Sequence, residues 1–532
     1  MTLTKRVCSF LMAVMMLLGL SVTAYAAEGD AVIDHNAHTI TITNDCHDHT
    51  YAAFQVFSGN ITDGKLVNIQ WGSGVNGDAL LADLKANSAF GEGAANKFVS
   101  CETAEAVADV LAGFGDNSTM TDAFATAVSG NLQGEGKASK TTEEESESTT
   151  LYHAVISGLS DGYYFVEETT KNMAEGHAAT KYILEVVRNV TVEAKADAPT
   201  LDKVIVKGES ERGTSSNIGD KVTFKLTSHV PDMDGYTSYT YIINDTLSAG
   251  LTFNNDVAVK IDGVTVDRDQ YYEVKTQGTS NNHTFEIVFK EPIKNLKAQE
   301  GKQVEVTYTA TLNEAAFETS VETNTANVTY SNNPGDATKE GNTTEKIVYV
   351  YDFEIVVDKY AKDSNAAGGE KKLEHATFVL MNAEKNAYYK LAKDEKGKDV
   401  VTWVADIKDA DEKETNENGA TSFKGLKAGT YYLKETKAPD GYNLLKDPVK
   451  VEIKAAYKTD GQIDPDSENT SVALKNDNKG YDQTESIENK SGATLPETGG
   501  MGTTIFYMIG SVLVFGAAIL LVTKKRMSTS AK

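Results

Sequence analysis

The sequence predicts a mainly β chain, with tandem β-sandwiches behind an N-terminal domain of mixed α and β structure. Three observations predict it. From Lys203 to Tyr330, short runs of alternating apolar and polar residues recur, with turn residues between them at sandwich-like intervals. Ahead of them, apolar residues at helical spacing (Ala106, Val107, Val110, Leu111 and Phe114) sit among strand patterns. The chain has 532 residues, too many for one core, and suggests about three domains between its two ends.

The ends predict export and a membrane stop. Lys5-Arg6 precede an apolar stretch from Val7 to Leu20, and Ala24-Tyr25-Ala26 supplies small residues for cleavage, so residues 1–26 read as a signal peptide. The apolar run from Ile505 to Val522 is just long enough to cross a thin bilayer. Lys524-Lys525-Arg526 should stay in the cytoplasm, which leaves Leu495 outside. A formal net charge of -26 argues against a nucleic-acid partner and suits a solvated protein on a cell surface. Of three cysteines, Cys8 leaves with the signal peptide. Cys46 and Cys101 remain as an even pair in an oxidising compartment, compatible with one disulfide, although two buried free thiols would read the same way.

The N-terminal domain, residues 27–198, opens with alternation over Thr39-Ile40-Thr41-Ile42-Thr43, a half-buried strand, and a second strand from Tyr51 to Phe57. Helices are expected at Asp78 to Leu84 and Thr103 to Phe114. The Gly-, Ser- and Glu-rich stretch from Gln133 to Thr150 reads as a solvated loop. Strands resume at Tyr152 to Ile156, Gly162 to Glu167 and Tyr182 to Val192. His35, His38, Cys46, His47, Asp48 and His49 are zinc-ligand types, but no recognised spacing links them. They read as polar loop residues, and neither a metal site nor a cofactor is assigned.

Residues 199–345 form the most regular β block. Its strands are expected at Lys203 to Val206, Lys221 to Leu226, Tyr239 to Asn244, Thr284 to Phe289, Gln303 to Thr311 and Asn324 to Tyr330. Residues 346–491 open with Phe353-Glu354-Ile355-Val356-Val357-Asp358-Lys359, a strand bearing a lysine. The acidic stretch from Asp406 to Glu417 reads as a solvated loop.

Four motifs resemble the backbone pilins of Gram-positive bacteria. First, Leu495-Pro496-Glu497-Thr498-Gly499, followed by the span and the basic cluster within residues 492–532, resembles the sorting signal that sortases read. The resemblance implies cleavage after Thr498 and transfer of its carbonyl to an amine. Second, Val190-Thr191-Val192-Glu193-Ala194-Lys195 before Ala198-Pro199 resembles the pilin motif, whose lysine is that amine. The family form has an aromatic and a proline near the lysine that this chain lacks, and Lys203 and Lys207 are close rivals. Third, Leu201-Asp202-Lys203, Asn244-Asp245-Thr246-Leu247 and Asn324 to Tyr330 look like the isopeptide-forming second domain of such pilins. Fourth, Tyr431 to Tyr442 (YYLKETKAPDGY) resembles the E-box of Cna-B-like domains, which implies a second crosslink of Lys359 with Asn489, or alternatively Asn476, assisted by Glu435. Gly158 to Glu168 is a weaker echo without the Ala-Pro continuation, and no third crosslink is assigned to it. The implied fold is tandem immunoglobulin-like (Cna-A/Cna-B-like) sandwiches.

Residue types explain how such a crosslink would form. A lysine among apolar side chains loses stability as an ammonium and becomes a neutral nucleophile. A buried acid, its pKa raised by the same desolvation, can donate to an asparagine amide. The amine displaces ammonia once per molecule, so there is no turnover and no enzyme. Alternation places Asn324 with Ala326, Val328 and Tyr330, and Asn327 on the other face, so Lys203, Asp245 and Asn324 form the expected set, with Asn327 left open.

The resemblance implies a structural subunit of a surface fimbrium, joined by a pilin-specific sortase from Thr498 to Lys195 of an identical subunit. A housekeeping sortase would finally attach the fibre to cell-wall peptidoglycan, and minor pilins and host or microbial surface ligands are further partners. A monomeric wall-anchored adhesin, or a minor pilin at tip or base, would share the sorting signal and the crosslinks but need no acceptor lysine. A surface enzyme lacks support, because no metal-ligand spacing, nucleophile elbow or phosphate loop is present.

Overall fold

A computed structural model describes residues 37–44, 47–62, 65–114, 119–144, 151–170, 173–179, 181–186, 189–193, 198–234, 236–319, 321–334, 336, 338–491 and 501–529. The architecture is mainly β, in three successive pairs of sheets followed by one long helix.

In the first pair, His38–Asn44 lies between Leu151–Leu159 and Val190–Glu193, running parallel to the latter. Its alternation buries Ile40 and Ile42 and leaves the threonines half-buried. The second sheet is ordered Lys65–Trp71, Thr50–Thr62, Gly162–Glu168, Lys181–Val186. Helices Gly77–Ala86 and Ala104–Leu111 stand where their spacing predicts, started by Asn76 and Thr103, whose side chains accept from Ala79 and Ala106 N–H. A third helix, Thr119–Gly130, buries Phe124, Ala127 and Val128 on one face and was not anticipated. Part of the expected loop after Gln133 also pairs: Lys137–Lys140 with Thr50 to Ala53, and Thr142–Glu144 with Leu151 to His153. These polar segments are edge strands, which backbone hydrogen bonds hold without an apolar face.

In the second pair, one sheet carries Asp202–Ile205, Lys221–His229, Gln303–Leu312 and Ala258–Ile261. The facing sheet is ordered Gly213–Ser215, Lys346–Tyr351, Glu322–Ser331, Tyr241–Leu247, Phe285–Phe289, Tyr272–Lys275. Strand Lys346–Tyr351, assigned by sequence to the third domain, therefore belongs to this one. It pairs antiparallel with Glu322 to Ala326, and the chain crosses to the next sheet only at Phe353.

The third pair sets Phe353–Lys362 parallel to Tyr481–Glu488, against a sheet ordered Asp399–Val404, Tyr388–Lys393, Thr377–Met381, Gly429–Lys437, Val449–Ile453. The acidic stretch after Asp406 is not wholly a loop, since Lys413–Glu414 pairs with Thr377–Phe378 and Thr415 is buried. The second and third units are stitched by backbone bonds. Ile218 N–H donates to Gly425 O at 3.0 Å, and Val401 N–H donates to Ile218 O at 2.8 Å. Gly461, at φ +93°, lets the two chains touch, because a Cβ there would lie 2.2 Å from Arg212 O.

Asp352 is the link between the central sheet and the third, and it is half-buried. Burial, reinforced by the Glu322 and Glu354 carboxylates and opposed by Lys475, pushes its carboxyl up to about 7. Between roughly pH 4 and 7 the unfolded chain gives up a proton that the folded chain keeps, so stability falls as pH rises through that window and stays low above it. Asp352→Asn should therefore stabilise the protein above about pH 7, on the order of 1–3 kcal/mol, and change little near pH 4. Melting curves of both proteins at the two pH values check this, and equal gains at both would reject it.

The last helix, Met501–Thr529, holds a segment Phe506–Lys525 with mean hydropathy 2.2, long and apolar enough to cross a membrane.

Candidate crosslink sites

The central site is built between the two facing sheets. Lys203 lies on a strand whose alternate residues point inward, opposite Leu226, and its side chain is fully buried. Asp245, opposite Ala326, and Asn324, opposite Leu247, come from neighbouring strands of the other sheet. Lys203 Nζ donates to Asp245 Oδ2 at 2.8 Å and to Asn324 Oδ1 at 2.5 Å. Phe224 and Tyr308 flank the amine, their ring centres 5.9 and 5.8 Å from Nζ. Burial pulls the lysine down to about 8, although Asp245 acts against it, and burial pushes the Asp245 carboxyl up. Both shifts favour the neutral pair, amine and acid, that attack on an amide requires. Asn327 is on the opposite face, accepting from Asn244 Nδ2 at 2.7 Å.

The second site repeats the plan in the third unit. Lys359, on Phe353–Lys362, is fully buried and lies beside Ile487 of the parallel strand. Asn489 follows that strand, with its N–H bonded to Tyr360 O at 2.9 Å. Lys359 Nζ donates to Asn489 Oδ1 at 2.5 Å, and Asn489 Nδ2 donates to Glu435 Oε1 at 3.1 Å. Glu435 alternates with the buried Tyr431 and Leu433 on the E-box strand, and its other oxygen accepts from Leu445 N–H at 2.8 Å. Burial lowers the Lys359 pKa against the pull of Glu435. Asn476, the alternative partner, is exposed.

The echo strand of the first unit ends on Glu168, which is buried like Glu435 but accepts from His49 Nδ1 at 2.5 Å and Thr170 Oγ1 at 2.7 Å. His49 Nε2 lies 2.8 Å from His177 Nδ1, and His38 Nε2 lies 2.8 Å from Asp161 Oδ1. His38 thus lies on a strand and not in a loop, His49 lies in the connection just before the strand Thr50–Thr62, and both are buried against carboxylates, whereas His47 is exposed beside Asp48. His35 and Cys46 lie outside the described residues. Cys101 is a buried free thiol whose Sγ meets Ala106 O at 3.5 Å. Its place in the core around the helices accounts for its burial. Lys195 and Leu495, Pro496, Glu497, Thr498 and Gly499 also lie outside the described residues. Of the rival acceptors, Lys203 is committed to the core, and Lys207 is exposed at φ +60°.

Residues 360–467 match the family model of the SpaA prealbumin-like fold domain. Over 441 residues the chain is 25% identical to the trypsin-resistant surface T6 protein of Streptococcus pyogenes serotype M6, covering 71% of this chain and 79% of that protein. Among solved structures, the T6 backbone pilin of serotype M6 S. pyogenes, itself described as a modular three-domain structure, superposes with TM-score 0.50 at 17% identity, over 86% of this chain and 94% of that one. The major pilin SpaD of Corynebacterium diphtheriae gives TM-score 0.48 at 17% identity, over 87% and 100%. The fold these findings define is that of the backbone pilins, with a SpaA prealbumin-like domain over residues 360–467. The chain is similar along most of its length to the T6 protein of S. pyogenes.

Proposed function

We propose that this subunit is covalently locked twice within itself and once to each neighbour in the fibre. Lys203 joins Asn324 and Lys359 joins Asn489, each with loss of ammonia. A sortase joins the Thr498 carbonyl to Lys195 of the next subunit, and the finished fibre is anchored to peptidoglycan. The observation that carries this reading is the pair of buried lysine–acid–asparagine sites, each amine 2.5 Å from an amide oxygen, in successive units of a pilin fold. Nothing in such a site turns over. Its product is a bond that closes a long loop and that thiols cannot reduce.

Polymerisation is tested on cell-wall extract boiled in SDS with reductant and probed for this protein, wild type beside Lys195→Ala. A high-mass ladder that collapses to monomer in the variant is expected. A ladder that persists moves the acceptor to another lysine. A single wall-linked band in both leaves a monomeric adhesin.

A further inference from the structure

We propose that Tyr308 is a catalytic residue of the central crosslink, relaying a proton between Asp245 and the departing nitrogen of Asn324. The inference rests on the Lys203–Asn324 crosslink proposed above and adds to it a residue that none of the motifs contains. Tyr308 is buried on Gln303–Leu312, its hydroxyl wedged between acid and amide. Asn324 Nδ2 donates to the Tyr308 hydroxyl at 2.8 Å, and that hydroxyl donates to Asp245 Oδ2 at 2.7 Å. With the two bonds from Lys203 Nζ, these close a ring containing every atom that must gain or lose a proton.

The second site shows why a relay is needed in the first. There the acid is a glutamate and reaches the leaving nitrogen itself, Asn489 Nδ2 to Glu435 Oε1 at 3.1 Å. The ring over that lysine is Phe378, which has no hydroxyl. In the central site the acid is an aspartate, one methylene shorter, and no direct bond joins it to Asn324 among those formed there. The Tyr308 hydroxyl fills that gap. Burial and the neighbouring Asp245 hold the phenol well above its ordinary pKa, so it stays neutral and can accept and donate in turn.

The step balances within the ring. The lone pair of neutral Lys203 Nζ forms a bond to Asn324 Cγ, and the carbonyl becomes tetrahedral. Nδ2, now an amine with its own lone pair, takes the Tyr308 proton while Tyr308 takes the proton of the Asp245 carboxylic acid. The Cγ–Nδ2 bond breaks and ammonia leaves. Nζ, which carries one proton too many after attack, returns one to Asp245. An amide and ammonia have replaced an amine and a primary amide, and Asp245 and Tyr308 end as they began.

Intact mass and peptide mapping of the full mature chain test this, each closed bond being read as one ammonia lost. Wild type should lack two. Tyr308→Phe should close the Lys203–Asn324 bond at least about 10²-fold more slowly, the order of effect expected for a lost proton-transfer group, while the Lys359–Asn489 bond closes normally as an internal control. Asp245→Glu added to Tyr308→Phe should restore closure, because the longer acid reaches the amide as Glu435 does. A Tyr308→Phe chain that closes at the wild-type rate overturns the relay and leaves the crosslink. So does a double variant that melts cooperatively yet stays open, since the hydroxyl would then serve packing alone. A wild-type chain that retains the central ammonia overturns the crosslink itself.

Discussion

Pulled from residues 198 and 491, a chain carrying Asn324→Ala should extend roughly 400 Å further than wild type, and one carrying Asn489→Ala by a similar length. The proposed crosslinks would span 121 and 130 residues, and an extended residue adds at most about 3.3–3.6 Å. With the bonds closed, tension passes from Lys203 directly to Asn324 and from Lys359 directly to Asn489, so the loops between them carry no load. The segment between Asn324 and Lys359 remains in the path in every variant. It includes Lys346–Tyr351, held between Glu322–Ser331 and Gly213–Ser215. Because this strand follows Asn324, the central unit can still yield from Asn324 to Tyr351, whereas in the third unit only Phe353 to Asp358, ahead of Lys359, lies in the loaded path. Single-molecule extension measures both. Equal extension in wild type and variants would mean that neither loop is shielded.

What the sequence disclosed and what it hid divide along physical lines. Strand alternation alone separates Asn324 from Asn327, and the two indeed lie on opposite faces. The E-box places Glu435 inward by the same parity. Each of these signals is local, a period of two read over a few residues. The contents of the sites beyond the motifs are not local. Tyr308 lies on the inward stripe with Val304, Val306 and Ala310, where a tyrosine looks like core packing until a partner for its hydroxyl appears from two other strands. The one available signal was that a buried hydroxyl must be satisfied somewhere. His38 and His49 were misread for the same reason, since Asp161 and Glu168 lie more than a hundred residues away. The displaced domain boundary has another cause. Lys346–Tyr351 and Phe353–Lys362 are both good strand patterns separated by one residue, and only pairing reveals that they belong to different sheets.

Removing an acid should cost more than removing an asparagine. Asp245→Ala and Glu435→Ala are each expected to retain one ammonia, closure being slowed by about 10²–10⁴-fold when the proton-handling group is lost. The open bond itself accounts for about 5 kcal/mol in the chain-entropy model for loops of this length. Asn324→Ala loses that amount but keeps Lys203 paired with Asp245, which still accepts from Tyr308. Asp245→Ala loses it and also strands a fully buried amine, whose remaining acceptor is Asn324 Oδ1. Breaking a buried pair from one side typically costs a further 3–5 kcal/mol or so. That cost is reduced here because an amine already lowered to about 8 with its acid present falls further without it and folds neutral. Melting temperatures should therefore rank wild type above Asn324→Ala above Asp245→Ala, with the same order for Asn489→Ala and Glu435→Ala. If the two variants of a site melt together, the acid contributes nothing to the open fold. If Asp245→Ala closes its bond at the wild-type rate, the acid does not drive the reaction, and desolvation of Lys203 against Phe224 and Tyr308 would suffice.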